Sequence, residues 1–187
     1  MNKLVFLVMM LFGIFLRADE AKLPEDSIYN IKSNWSNQNG DAITLDSLRG
    51  QNVIMTMVYT GCAHACPMTI AKVQEIEKAL VQADIKNYKL VLASFDSVKD
   101  TPRVLKDYMK KRKISEDHWV FLSTAKDSVA RELAVSLGIS YKAIGDGDFS
   151  HSNVISYLDS RGVVKSKIES LTADITPLVA SVKKEGL

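Results

Sequence analysis

Along this chain the spacing of apolar residues changes period several times after a polar opening. Val53 to Tyr59 is nearly continuous in apolar residues and follows a break at Ser47-Leu48-Arg49-Gly50, which predicts a buried strand. Ile70, Val73, Ile76 and Leu80 then recur at three- and four-residue steps with charges between them, the pattern of a helix running towards Asp84. Lys89 to Phe95 reads as the next strand. Val104, Leu105, Tyr108 and Met109 share a helical face, Trp119 to Leu122 is short and apolar, and Val129, Leu133 and Leu137 form a helical stripe stopped by Gly138. Asn39-Gly40-Asp41 marks an early hairpin turn. Val154 to Leu158 and Val163 to Ile168 flank Asp159-Ser160-Arg161-Gly162, a second hairpin, and a last helix lies between Leu171 and Lys184. Strands and helices alternate without repeats or low-complexity tracts, so the reading is a single α/β domain.

The first residues are of another kind. Leu4 to Leu16 is an apolar stretch behind Lys3, and thirteen residues at ~1.5 Å each reach about 20 Å, short of the roughly 30 Å hydrocarbon core. Residues 1–18 are therefore expected to be a signal peptide or short membrane anchor, residues 19–33 a polar linker, and residues 34–187 the folded domain. Export would place the protein in the periplasm, soluble or attached to the outer face of the inner membrane, where disulfides persist. The net charge of +2 rests on Lys3 and Arg17, since the remainder holds 22 basic against 22 acidic residues. A neutral body lowers nucleic acid and anionic membranes as partners.

Two cysteines and three histidines hold most of the specific chemistry. Cys62-Ala63-His64-Ala65-Cys66-Pro67 lies between a predicted strand and a predicted helix, with Pro67 suited to a first helical turn. Thiols at a helix amino terminus face unpaired N–H groups, which favours thiolate, the reactive and metal-binding form. Residues four apart on one turn have Cβ atoms about 5–6 Å apart, so the pair suits a soft metal or, after a small adjustment, a disulfide. A permanent disulfide closing so short a loop would add little stability. Two thiolates hold cuprous copper, and a site that also accepts the cupric ion wants an imidazole. His64 lies between the cysteines, His118 lies at the opposite end of a parallel strand, and His151 follows a glycine-rich loop at 144–148 that could bring it to the thiols. Position in the fold favours His151. Met55 and Met57 alternate along a strand and are assigned, with Met68, to packing.

A strand feeding a cysteine pair and a helix, closed by an antiparallel hairpin and a helix, suggests a thioredoxin-like fold with a central mixed sheet. Tyr59-Thr60-Gly61-Cys62 followed by Cys66-Pro67 resembles the motif of the SCO family of copper proteins that assemble cytochrome c oxidase. Ser94-Phe95-Asp96 with Asp100-Thr101-Pro102, and His151-Ser152 with Tyr157-Leu158-Asp159, resemble its second and third signatures. The resemblance spans roughly Gly40 to Ile168. It departs at Ala63-His64-Ala65, where the family usually has a proline and an acid, and at Ser150, where it has an acid. It implies copper, as Cu(I) or Cu(II), bound by Cys62, Cys66 and His151, with Asp96 as an acid beside the site that is not itself a ligand. The implied partners are the copper-site subunit of cytochrome c oxidase and a thioredoxin-like reductant. Two functions compete: a metallochaperone, and a thiol–disulfide oxidoreductase in which Cys62 and Cys66 are a catalytic redox pair. A thiol peroxidase fits the paired arrangement less well.

Overall fold

The computed structural model describes residues 22–62, 65–145 and 147–185. The expected leader, residues 1–18, and His64 lie outside them. The elements in order are β1 (Asn34–Asn37), β2 (Ala42–Thr44), β3 (Asn52–Val58), α1 (Ala65–Gln82), β4 (Tyr88–Ser94), α2 (Pro102–Lys111) and β5 (Trp119–Ser123). They continue with α3 (Asp127–Leu137), β6 (Tyr141–Gly145), β7 (Asp148–His151), β8 (Ile155–Leu158), β9 (Val164–Ile168) and α4 (Thr176–Glu185). Among the described residues, seven strands form one sheet in the order β2-β1-β5-β4-β3-β8-β9, and β6 and β7 form a separate pair. Strands β3, β4 and β5 are parallel and their other neighbours antiparallel, so the sheet is mixed and the architecture thioredoxin-like.

The centre of the sheet follows from its sequence. Strand β3 is buried along its whole length between β4 and β8, as a nearly continuous apolar run requires. Its polar Thr56 is satisfied by donating its hydroxyl to Val154 O at 2.7 Å. Ile70, Val73, Ile76 and Leu80 of α1 are all buried, each worth about 1.5–3 kcal/mol relative to exposure. Helix α2 begins where Thr101 caps it, its hydroxyl accepting Val104 N–H, with Pro102 in the first turn. Of the four residues expected on its inner face, Leu105 and Met109 are buried, Tyr108 is half-buried and Val104 is exposed. Gly138 ends α3 in the left-handed conformation, φ 73°, and the following N–H of Ile139 returns to Ala134 O.

Two stretches differ in shape from what periodicity suggests. Ile28 and Tyr29, within the polar stretch before β1, are buried in the core, and Ile28 N–H bonds Gly162 O. The Tyr29 ring lies so close to Gly162 that a Cβ there would come within 2.6 Å of it, and φ 78° independently favours glycine. The glycine-rich segment expected as a loop is the hairpin β6–β7, pairing Tyr141 with His151 and Ala143 with Phe149. Its strands are short and β6 is exposed at Lys142, Ala143, Ile144 and Gly145 alike, which hides the period-two signal.

Candidate metal centre

The carboxyl ends of the parallel strands β3 and β4 supply two loops, and the β6–β7 hairpin lies over them. The first loop, Tyr59 to Cys62, is braced from beneath by Asp100. That carboxylate accepts Thr60 N–H at 2.9 Å, the Thr60 hydroxyl, and the Ser94 hydroxyl at 2.6 Å. Asp100 is buried, and its pKa is raised by that burial against the opposing pull of its hydrogen bonds.

Cys62 ends this loop and Cys66 sits in the first turn of α1. Both are buried, and no disulfide joins them. The Cys66 N–H donates to Cys62 Sγ at 3.3 Å, so the helix amino terminus does aim a donor at sulfur. Cys66 itself is fully covered, and burial pushes its thiol up to about 12, with Cys62 adding to the rise. Desolvation thus outweighs the helix end, and in the metal-free protein Cys66 is a thiol at neutral pH.

His151 ends β7 and turns Nε2 towards the sulfurs, 4.0 Å from Cys66 Sγ. Its Nδ1 lies 3.1 Å from Ser152 O, a contact that fixes the proton on Nδ1 and leaves the Nε2 lone pair facing the thiols. The ring is held between Phe95, 5.2 Å away centroid to centroid, and Tyr59, 6.1 Å away and perpendicular. Ligand atoms of Cys62, Cys66 and His151 all lie within 4.8 Å of one another. Bonds of about 2.0–2.3 Å from thiolate and imidazole to a first-row metal place three coplanar ligands roughly 3.5–4 Å apart, so the three need only a small contraction. Two soft sulfurs and one imidazole fit copper by donor type.

Asp96 is also buried, and its Oδ1 closes its own turn by accepting Val98 and Lys99 N–H at 3.1 and 2.9 Å. It lies beside Asp100 and is not one of the converging three. His118 is at the opposite end of the sheet, stacked on Tyr88 with Nδ1 at Tyr88 O. Met55 and Met57 are core residues, and Met68 is exposed on α1.

Tyr59 has a role that spacing did not expose. Its hydroxyl donates to Asp148 Oδ1 at 3.2 Å and accepts Phe149 N–H at 3.5 Å, joining the cysteine loop to the histidine hairpin. Tyr59 and Asp100 both fall inside the quoted motifs, but the Tyr59 partners Asp148 and Phe149 and the Asp100 partner Thr60 lie far along the chain.

Fold and site together define a thioredoxin-like domain with a candidate metal centre of two thiols and one imidazole. The chain belongs to the SCO1/SenC family, whose family model matches residues 24–185. The SCO1 protein homolog of Bacillus subtilis (strain 168) is 30% identical over 110 residues, 59% of this chain and 55% of the relative, so the chain spans little more than half of that relative's length. The structure of Bradyrhizobium japonicum ScoI with copper bound is 25% identical, with a TM-score of 0.66 over 81% of this chain and 96% of that one. BsSco is a member of the Sco family of cytochrome c oxidase assembly proteins in which a disulfide switch was identified. It shares the fold at 23% identity, with a TM-score of 0.72 over 82% of this chain and 91% of its own.

Proposed function

We propose that the chain is a copper metallochaperone. Cys62, Cys66 and His151 hold the ion, and the cargo passes by ligand exchange to thiolates of the copper-site subunit of cytochrome c oxidase. The observation that carries this is the convergence of three soft or borderline donors, with the His151 lone pair turned to the sulfurs. The copper in the B. japonicum relative and the oxidase-assembly role of the Sco family support it. Asp100 and Tyr59 position the cysteine loop and the histidine hairpin, while Asp96 shapes the adjoining turn. The reading includes export, with residues 1–18 as signal peptide or anchor and action at the outer face of the inner membrane; of the expected linker at 19–33, Ile28 and Tyr29 pack into the domain core, so the folded part begins before residue 34.

Titrating the reduced chain with cupric ion under anaerobic conditions tests the proposal. It predicts thiolate-to-copper charge-transfer absorption that Cys62→Ser and Cys66→Ser abolish. It also predicts that His151→Ala weakens cupric binding more than cuprous binding, because the softer ion is content with two sulfurs. Equal retention of both ions by His151→Ala would contradict it.

A second reading, thiol–disulfide exchange with a thioredoxin-like reductant restoring the thiols, is favoured by the Cys66 N–H at Cys62 Sγ. That contact marks the less covered Cys62 as the attacking sulfur and Cys66 as the resolving one. A mixed disulfide trapped by Cys66→Ser, from a wild-type chain that takes up no copper, would replace the first reading with this one.

A further inference from the structure

The near-neutral charge of the whole chain conceals a local excess. Helix α2 and the two residues after it carry Arg103, Lys106, Lys110, Lys111, Arg112 and Lys113 against a single acid, Asp107. All six except Lys106 are exposed, and among the described residues none is within ion-pair distance of a carboxylate. One or two basic residues in the last turn are what a helix carboxyl end favours. Here the run continues beyond that end and borders a cavity of about 340 Å³ lined by Thr60, Tyr108, Lys111 and Arg112.

This cavity opens beside the metal loop, since Thr60 is two residues before Cys62. The Tyr108 hydroxyl is buried and makes no hydrogen bond of good geometry, while the Arg112 guanidinium lies close enough to act on it and sits over the Tyr108 ring, 4.6 Å from its centroid. The nearby Asp100 carboxylate is already engaged by Thr60 and Ser94 on both oxygens. Tyr108, with a hydroxyl proton to spare, therefore lines together with Lys111 and Arg112 a space with room for a small anionic group.

We propose that this cavity, framed by the basic end of α2, receives a carboxylate side chain from an acidic segment of a partner protein docked against the metal loop. A carboxylate answers the lining directly: the guanidinium fork takes its two oxygens, and Lys111 and the Tyr108 hydroxyl add charge and a donor. Single-stranded nucleic acid needs open aromatic faces, and the Tyr108 ring is covered by Arg112. A lipid surface needs an apolar band beside the charges, and Val104 is the one exposed large apolar residue described on α2. The inference rests on the proposed function only for what the partner exchanges.

Fluorescence anisotropy with a labelled hexa-aspartate peptide and the reduced full chain at low salt tests it. The Lys111→Glu/Arg112→Glu double variant is expected to weaken binding about tenfold, and Tyr108→Phe about threefold. The charge-matched Lys183→Glu/Lys184→Glu variant on α4 should bind as the parent does, and backbone amide shifts on peptide addition should centre on Thr60 and Arg112. Equal weakening by the two double variants would overturn the proposal, because it would mean undirected attraction. Tighter binding at α2 of inorganic phosphate, oligo-thymidylate or phosphatidylserine vesicles would also overturn it. Copper titration of the same samples separates the two claims: localised peptide binding without copper uptake sinks the proposed function alone, and copper uptake without localised peptide binding sinks the carboxylate site alone.

Discussion

Two effects of opposite sign act on the sulfur of Cys66. The amino terminus of α1 favours an anion, while complete burial disfavours one, and burial prevails, leaving the thiol raised to about 12 from an ordinary 9.0. A ligand must shed that proton to bind a metal, so metal competes with hydrogen ion at this atom. Apparent copper affinity of the reduced chain is therefore expected to climb about tenfold per pH unit for each thiol proton displaced, at least about 100-fold between pH 6 and 8. A competition titration at several pH values checks this, and a flat profile would show that Cys66 enters the site already ionised. The metal-free fold has the matching sign: the stability gained from the protonated, buried thiol is fully present below the ordinary thiol value and is lost as pH climbs from there towards about 12.

At the scale of elements, the site is an assembly of pieces that are each weak alone. The β6–β7 hairpin is short and two-stranded, so its position depends on what it packs against. Tyr141 stacks on Phe95, Phe149 meets Phe95 edge-on, and the Tyr59 hydroxyl reaches Asp148 and Phe149. Removing that hydroxyl with Tyr59→Phe keeps the ring packing and releases the clasp. Copper affinity should fall about tenfold, with faster hydrogen exchange at 148–151 and little change in melting temperature. Unchanged exchange and affinity would show that ring packing alone seats the hairpin.

The same scale shows what the sequence disclosed. Strands β3 and β4 are legible because burial on both faces leaves a nearly continuous apolar run, helix α1 because burial on one face writes a helical period, and the Gly138 stop and the turn before Gly162 from their turn residues. The hairpin carrying His151 is not, since its strands are short, β6 is exposed without alternation, and two glycines imitate a loop. Ile28 and Tyr29 leave no signal, because two apolar residues in a polar stretch carry no period, although they pack against the Gly162 turn. Cys62, Cys66 and His151 could be proposed together from residue type and order along the fold. The Tyr59–Asp148 contact joins residues 89 apart, which no local pattern encodes.

Across the whole molecule, the parallel strands end together and set the cysteine loop, the Asp100 brace and the histidine hairpin at one end of the sheet, while His118 is left at the other. Charge is distributed with the same polarity: near balance overall, with a basic concentration on α2 beside the metal loop. The proposed delivery role is well served by ligands on separate elements, because one can withdraw while the others hold. X-ray absorption at the copper edge of the loaded, reduced chain measures that ligand set directly. The account predicts two sulfur scatterers near about 2.3 Å and one imidazole nitrogen near about 2.0 Å, the nitrogen lost in His151→Ala. A spectrum with no more than one sulfur, or one left unaltered by His151→Ala, would contradict it.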